Sequence, residues 1–433
     1  MSLVPTFGEH TINELTLMFR SRQINLEPGF QRRSVWTLTD RRRLIESIVG
    51  GYPVPSVFLY RRDRNGGPVY DVIDGKQRLE TIFMFTKVGR FKRDWFEVKL
   101  DLGNGRDWYD WSTLKRSFSE QQAALVSYKL QTVEVTGELN QIIDLFVKIN
   151  STGKRLTSGE RRHAKYYTSP FLREADRLVI RFRRYLEDTR ILSAAQIDRM
   201  KGTELFAELL MSINNGGPIN KKTSLDRAIG NDTVNAHTLG KLSREFTRSM
   251  NLVRRMFPNL KQVRFRNSAE FYSLILLIWE MEQAGFILTE RRRNRIAFEL
   301  LKRLSTGVDE LRDQLRRAKP ARTGQRIFSD YLLTVQGDTD SSANRERRRE
   351  ILKGLLWTLF ERKDANRTFS PEQRRIIWHN DEKKKCVRCG KYLTWREFTV
   401  DHVKAWARGG QTSLRNANPM HRGCNSSKGA RAA

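Results

Sequence analysis

The stretch HRGCNSSKG, residues 421–429, contains the last of only three cysteines in a chain of 433 residues. The other two form the pair Cys386-Val-Arg-Cys389. An odd number of cysteines cannot pair completely into disulfides, and His421 has the same two-residue spacing from Cys424. Each tight turn directs two side chains toward one ion, and Cys₃His is a tetrahedral ligand set suited to structural zinc. The sequence therefore predicts a Zn²⁺ site at Cys386, Cys389, His421 and Cys424.

Net charge limits the partners of the whole chain. Eighty lysines and arginines against 49 aspartates and glutamates give a formal net charge of +31. This excess predicts a polyanionic partner, nucleic acid first, with a generally basic surface as the alternative. The longest apolar stretch, residues 271–279, has nine residues, whereas a membrane span needs about 20. No secretory signal is visible, so we expect a cytoplasmic protein without a membrane partner.

Hydrophobic periodicity divides the chain into three predicted domains. Residues 1–165 mix short strands with helices, and residues 166–365 are mostly helical, with a linker or surface loop at 335–346. Residues 366–433 form a small module whose thin core needs a metal. The expected fold class is an α+β multidomain protein. The strongest helical patterns after residue 200 lie at 203–213, 270–281, 294–304 and 348–362.

Local patterns in the first region predict single elements. Thr11 and Glu14 have the spacing of a capping box at the start of a helix. Alternating apolar residues predict strands at 54–60 and 68–74, joined by a polar turn. A further helix is predicted to begin at Asp40 and to end at the glycine pair that follows it.

Between the two halves of the predicted zinc site lies VDHVKAWARGG, residues 400–410, followed by Asn416. Together with CVRCG and HRGCN, this order resembles the HNH endonuclease family, whose ββα-metal core is a β-hairpin, a helix and a metal. The resemblance implies that His402 is the general base that activates water. It also implies that Asp401 and Asn425 hold a catalytic Mg²⁺ or Mn²⁺, and that Asn416 orients His402 or braces the loop.

The same residues suit phosphodiester hydrolysis on chemical grounds. An imidazole can take a proton from water near neutral pH, and a divalent cation neutralises charge that builds on the scissile phosphate. Carboxylate and amide oxygens suit Mg²⁺ and Mn²⁺. His421 stands where the family usually has cysteine, and a DNA-binding module without cleavage is the alternative. The basic side chains predicted to bind the DNA backbone are Lys404, Arg408, Arg415, Arg422 and Lys428.

A second set of motifs occupies the N-terminal region. FQRRSVW at 30–36 precedes YPVP at 52–55 and VIDGKQRLETIFMF at 72–85, and LFVKINSTGKRLTSGE follows at 145–160. In this order they resemble the family known as domain of unknown function 262, whose fold is similar to the ParB/sulfiredoxin nucleotide-binding domains. Its members occur in type IV restriction and other phage-defence enzymes. There the domain joins an HNH-type nuclease and binds or hydrolyses a nucleoside triphosphate.

The segment DGKQR, residues 74–78, ends a predicted strand and begins a helix. Glycine permits a tight turn, and N–H groups at a helix start can face a phosphate beside Lys76 and Arg78. The segment is not a Walker A loop, and taken alone it favours a solvated turn. Trp36 and Phe30 are expected to pack in the core, and the alternative is that they stack on a base or shape a pocket for a modified group. The predicted nucleotide or DNA-phosphate site contains Gln31, Arg32, Asp74, Gly75, Lys76, Gln77 and Arg78.

The sequence as a whole predicts a DNA-directed HNH endonuclease of anti-phage restriction. Its N-terminal domain is expected to bind a nucleoside triphosphate or to sense modified DNA. One HNH site cuts one strand, so a duplex break would need a homodimer or two successive events. Two alternatives stay open: a nucleotide-gated DNA-binding protein without cleavage, and a nucleoside triphosphatase whose HNH module only docks DNA.

Overall fold

The computed structural model of the chain describes residues 3–29, 36–64, 67–103, 105–149, 156–220, 225–226, 229, 234–317 and 326–428. These residues confirm the expected fold class, with a sheet near the N-terminus, a helical middle and a C-terminal hairpin and helix. The chain divides into two compact units. The first contains Met1–Ile180, Ser193–Glu204 and Ile229–Thr233, and the second contains Arg181–Leu192, Leu205–Ala228 and Val234–Ala433.

A five-stranded mixed sheet is the centre of the first unit. The strands of the first unit are β1 (Val4–Thr11), β2 (Ile24–Asn25), β3 (Val57–Arg64), β4 (Gly67–Asp74), β5 (Val98–Asp101), β6 (Arg106–Tyr109) and β7 (Lys129–Thr136). The sheet has the order β1-β7-β3-β4-β2, and β5 pairs with β6 in a separate hairpin. The β1–β7 and β3–β4 pairs are antiparallel, whereas the β7–β3 and β4–β2 pairs are parallel.

Successive residues of β3 and β4 pack on opposite faces of this sheet. Val57, Leu59 and Val72 join one buried apolar cluster, while Phe58 and Ile73 join another. The alternation follows from the two-residue period of a strand, and it gives a sheet with a core on each face.

The helices up to residue 214 are α1 (Ile12–Arg20), α2 (Leu38–Val49), α3 (Lys76–Phe85), α4 (Trp111–Ser117), α5 (Ser119–Ser127), α6 (Leu139–Ile149), α7 (Ser158–Lys165), α8 (Pro170–Asp188), α9 (Ala194–Asp198) and α10 (Lys201–Asn214).

Capping boxes set the starts of four of these described helices, among them α1 and α2. The prediction at Thr11 is confirmed, because its hydroxyl accepts from the backbone N–H of Glu14, whose carboxylate accepts from the N–H of Thr11. Helix α2 begins two residues earlier than predicted. Thr37 is its N-cap, and Asp40 is the third helical residue, whose carboxylate accepts from the N–H of Thr37 at 2.9 Å. Asp40 therefore closes the box from inside the helix.

The middle of the second unit is helical. Its helices are α11 (Ala236–Met256), α12 (Ser268–Gln283), α13 (Arg291–Arg316), α14 (Arg326–Thr334) and α15 (Ser342–Leu356). Helix α12 packs against α11 and α15, and all residues from Glu270 through Ile278 are buried. A helix that is apolar on all sides is typical of such an enclosed position. No helix in the described ranges combines the length and apolar content that a membrane crossing requires.

The polar stretch 335–346 is a surface turn followed by the first residues of α15. Within it, Arg345 is only 2% exposed and forms an ion pair with Glu208. The stretch therefore belongs to the packed helical region.

The C-terminal module contains α16 (Pro371–Asn380), β8 (Phe398–His402), β9 (Ala417–His421) and α17 (Arg422–Lys428). Strands β8 and β9 are antiparallel, with Phe398 opposite His421 and His402 opposite Ala417. The chain order is thus strand, strand, helix. Such a small core gives limited stability by itself, which is the condition under which a metal contributes most. Its seven buried members are Phe369, Ile377, Cys386, Leu393, Phe398, Val400 and Met420.

Candidate functional site

The three cysteines and His421 meet at one point beside the β8–β9 hairpin. One ligand atom from each of Cys386, Cys389, His421 and Cys424 lies within 4.8 Å of all the others. The Sγ atom of Cys389 is 3.4 Å from Nδ1 of His421. Ligands about 2.0–2.3 Å from a tetrahedral zinc have separations of this size. The structure therefore contains a Cys₃His group that can bind a metal.

Hydrogen bonds orient the imidazole of His421 and lower the pKa of the Cys386 thiol, and both effects favour binding of a cation. Nε2 of His421 lies 3.1 Å from the carbonyl oxygen of Tyr392, so the Nε2–H donates outward and Nδ1 faces the thiols. Burial raises the pKa of the Cys386 thiol, but backbone N–H groups, including those of His421 and Cys389, outweigh burial and lower the pKa to about 6. Burial and the neighbouring thiols raise the pKa of Cys424 to about 11. One bound cation would stabilise all the thiolates together.

The β8–β9 hairpin and α17 bring a second set of residues to a shared cavity of about 650 Å³. Asp401 and His402 are the last two residues of β8, and Asn425 lies on α17. All three line the cavity. The ends of two elements thus place an imidazole, a carboxylate and a carboxamide around one space.

His402 is held tightly in this cavity. It is 9% exposed, and its ring lies 4.7 Å from the ring of Phe369, centre to centre. Nε2 of His402 is 3.0 Å from the hydroxyl oxygen of Thr412. Burial lowers the pKa of His402 below its ordinary value, and the carboxylates of Asp401 and Asp364 only partly offset this effect. The imidazole is therefore held as a neutral base to lower pH than a free histidine.

Asn416 braces the loop that follows His402. Its Oδ1 accepts from the N–H of Lys404 at 2.7 Å, and its Nδ2 donates to the carbonyl oxygens of Lys404 and Gln411. The loop is also closed at Gly410, where an added Cβ would lie 1.6 Å from the carbonyl oxygen of Lys404. Of the two roles expected for Asn416, these contacts favour bracing the loop.

The predicted DNA-binding residues have different surroundings. Arg422 lines the cavity, and Lys404, Arg408 and Arg415 are exposed. Lys428 is half-buried instead, and its Nζ lies 2.7 Å from Oδ2 of Asp401. This lysine is therefore engaged with the candidate metal ligand.

The DGKQR segment forms a tight turn in the first unit. Gly75 has φ +93° and caps α3, and an added Cβ would lie 2.9 Å from a methyl carbon of Val57. Only glycine fits this turn without strain. Nη2 of Arg78 donates to Oδ2 of Asp74 at 2.6 Å and to the carbonyl oxygen of Ser56 at 2.9 Å. Asp74 and Arg78 thus tie the turn to the start of β3.

The other predicted nucleotide-site residues are only partly accessible. Lys76 is 7% exposed, with Nζ 3.8 Å from a carboxylate oxygen of Glu80. Gln77 accepts the backbone N–H of Trp36 at 3.0 Å, and Trp36 packs against the core of the first unit. This bond brings α3 to the edge of the FQRRSVW motif. Gln31 and Arg32 of the predicted site lie outside the described residues, and so does Phe30.

Two segments of the chain match models of known protein families, one near the N-terminus and one at the C-terminal module. Residues 15–167 match the N-terminal domain of GmrSD restriction endonucleases, and residues 386–431 match the HNH endonuclease domain. One segment is therefore similar to a restriction-endonuclease domain and another to an HNH endonuclease domain. Both resemblances in the sequence are confirmed. A search among curated proteins returned no match to the chain.

The HNH domain has a donor set that fits a catalytic divalent cation. Asp401 and Asn425 offer a carboxylate and an amide oxygen to the same cavity, and hard cations prefer such ligands. Asp401 and Asn425 are therefore the residues that would hold Mg²⁺ or Mn²⁺. The carboxylate of Asp401 is paired with the ammonium of Lys428, which such a cation would have to displace.

Several cavity residues lie upstream of the matched HNH segment and were not found from the sequence. Arg367 and Arg374 line the cavity together with Arg422. Arg374 lies on α16, donates to the carbonyl oxygen of Phe398 at 3.1 Å, and sits over the ring of Trp395. In the sequence, Arg374 is one member of an ordinary basic helix. Only the packing of α16 against the hairpin indicates its position.

Proposed function

We propose that the HNH domain cleaves DNA by metal-dependent hydrolysis of a phosphodiester bond. The observation that carries this proposal is the meeting of His402, Asp401 and Asn425 in one cavity that is also lined by arginines. A neutral, buried imidazole beside oxygen ligands is what water activation next to a phosphate requires. The arginines supply charge that suits the DNA backbone.

The residues have distinct roles in this reaction. His402 takes a proton from the attacking water, and its ring is held in place by Phe369 and Thr412. Arg374 and Arg422 bind the nonbridging oxygens of the phosphate from the cavity wall. Asp401 and Asn425 would hold a divalent cation, which would supply positive charge to the phosphate and to the leaving oxygen. Asn416 keeps the loop after His402 closed.

Structural zinc completes the proposed HNH domain. The Cys₃His group has all four protein ligands, and closed four-ligand sites are structural rather than catalytic. We propose that this ion holds the two cysteine turns against the β8–β9 hairpin. Zinc thereby supports the cavity without taking part in cleavage.

We further propose that the N-terminal domain regulates cleavage by binding a nucleoside triphosphate or by sensing modified DNA. The turn at Gly75 presents the N-terminal end of α3, with Lys76 and Gln77 as its first residues. Helix starts of this kind favour phosphate groups. This regulation would suit anti-phage restriction in the cytoplasm, and a homodimer would let two HNH sites cut both strands.

One observation favours a second function, DNA binding without cleavage. The ammonium of Lys428 is bound to Asp401, where a catalytic cation would need the carboxylate. A module fixed in this state would bind the DNA backbone and leave it intact. A nucleoside triphosphatase whose HNH domain only docks DNA is a further alternative, separated by measuring nucleotide hydrolysis.

A plasmid-cleavage experiment tests the proposal and identifies the regulator. Purified protein is incubated with plain plasmid and with modified phage DNA, in Mg²⁺ or Mn²⁺, with and without each nucleoside triphosphate. We expect metal-dependent nicking or linearisation whose rate changes with DNA type or nucleotide, and loss of cleavage in Asp401→Ala. DNA binding without cleavage under every condition would support the second function.

A further inference from the structure

We propose that Thr412 is a positioning residue that holds His402 in the tautomer with its proton on Nε2, so that Nδ1 is the atom that accepts the proton from water. The inference deepens the proposed nuclease function and rests on it. It assigns a role to Thr412 and to residues 364–373, and the latter lie upstream of the segment that matches the HNH family.

Hydrogen counting at Thr412 supports the assignment. Its hydroxyl has one proton, and that proton is donated to the carbonyl oxygen of Asn366, which can only accept. The same hydroxyl oxygen lies 3.0 Å from Nε2 of His402. Because the hydroxyl proton is already used, the bond to His402 requires a proton on Nε2. A neutral imidazole has one ring proton, so Nδ1 then bears the lone pair.

The backbone of Thr412 is fixed by two hydrogen bonds, and a third bond fixes the residue that its hydroxyl contacts. Its N–H donates to Oδ2 of Asp364 at 2.9 Å, and its carbonyl oxygen accepts from Nε2 of Gln373 at 3.0 Å. Oδ1 of Asp364 also accepts the N–H of Asn366 at 2.9 Å, which holds the carbonyl that receives the Thr412 proton. The polar atoms of Thr412 thus have little freedom to rearrange. Such an arrangement is typical of the residues that orient a catalytic base.

The other side of His402 faces the cavity. Phe369 lies against the ring, and within the part of the chain that the structure describes, Nδ1 has no hydrogen-bond partner. Nδ1 is therefore the ring nitrogen left for water. If the proton moved to Nδ1, the group facing the water would be a donor, which cannot act as a base.

Selective labelling of histidine with ¹⁵N tests the tautomer directly in the full-length protein. Long-range ¹H–¹⁵N spectra at about pH 8, above the ordinary histidine pKa, identify which ring nitrogen bears the proton. The signals of His402 are those lost in His402→Ala. We expect the Nε2–H form in the wild type and in Thr412→Ser, which keeps the hydroxyl. In Thr412→Val, which has the same shape without it, we expect a mixture of both tautomers.

Cleavage rates and folding controls accompany the spectra. We expect kcat to fall about 10- to 100-fold in Thr412→Val and to be largely restored in Thr412→Ser. Asp364→Asn, which weakens the support of Thr412, is expected to have an intermediate effect. Zinc content and circular dichroism identify any variant that does not fold, and the wild-type spectrum tests the tautomer without any substitution.

The outcomes separate this inference from the nuclease proposal. The inference is overturned if the wild type has its proton on Nδ1 of His402. It is also overturned if a folded Thr412→Val has the same spectra and cleavage rates as the wild type. If cleavage depends on His402 while Thr412→Val changes nothing, the nuclease proposal stands alone. If the Nε2–H form is present and Thr412→Val alters it, yet the wild type cuts no DNA, the positioning role stands and the nuclease proposal fails.

Discussion

Gly410 shows how one residue fixes the geometry around the proposed base. An added Cβ would lie 1.6 Å from the carbonyl oxygen of Lys404, in the loop that Asn416 braces. We predict that Gly410→Ala displaces this loop, lowers stability by about 1–3 kcal/mol and lowers the cleavage rate. Gly354→Ala is the control, because an added Cβ there meets no atom within 4 Å. A denaturation midpoint and cleavage rate like those of wild type in Gly410→Ala would contradict the prediction.

Lys428 offers a second test at the scale of one residue. Its ammonium is bound to Asp401, so it competes with any cation at that carboxylate. We predict that Lys428→Met strengthens Mn²⁺ binding by about 3- to 10-fold, measured by titration calorimetry of the zinc-loaded protein. Lys391→Met removes the same charge at an exposed position and is expected to leave the affinity unchanged. An unchanged or weaker affinity in Lys428→Met would exclude the competition.

At the scale of elements, the two cysteine turns and the hairpin depend on the metal. Among the described residues, the apolar cluster of the module has seven buried members, and the Cys₃His group joins residues 386–389 to the end of β9 and the start of α17. We predict one bound zinc per chain and cooperative unfolding of the module when a strong chelator removes it.

Substitutions distinguish this zinc site from a chance cluster. His421→Cys is expected to keep the zinc and His421→Ala to lose most of it, as measured by metal analysis. His379→Ala, an exposed histidine at the end of α16, is the control. Equal zinc content in all three variants would show that His421 is not a ligand.

Two of the four arginines in helix α15 differ in burial. Arg345 is buried, pairs with Glu208 and lies over the ring of Tyr272, whereas Arg347 is 55% exposed and pairs with Asp330. Removing one partner leaves a buried charge alone, so we predict that Arg345→Ala lowers the free energy of unfolding by about 3–5 kcal/mol. Arg347→Ala should cost about 0–1 kcal/mol. Chemical denaturation measures both, and equal effects would contradict the account.

At the scale of the whole molecule, the sequence predicts the parts that depend on short-range spacing. The cysteine and histidine turns, the order of His402, Asn416 and Asn425, and the glycine of the DGKQR turn all lie in short motifs. Spacing of this kind reflects local geometry, which a single sequence contains. The Cys₃His group and the mixed α/β fold could therefore be expected before the structure.

The features that the sequence does not predict depend on contacts between segments that are distant along the chain. In the sequence, Thr412 has no feature that distinguishes it from other loop residues. Its proposed role follows only from its contacts with residues 364–373 on one side and with His402 on the other. The pair between Lys428 and Asp401 joins the end of α17 to the end of β8. In a sequence, a basic residue near a nuclease motif predicts DNA binding. Only the three-dimensional structure shows that Lys428 instead pairs with the candidate metal ligand.

The central claim is that His402 activates water for DNA cleavage, and one measurement tests it most directly. Single-turnover nicking of supercoiled plasmid in Mn²⁺ is compared for the wild type, His402→Ala and His379→Ala. We predict that His402→Ala lowers the rate about 10²- to 10⁴-fold, while DNA binding and zinc content stay unchanged and His379→Ala cuts like the wild type. Equal nicking by folded His402→Ala would contradict the account.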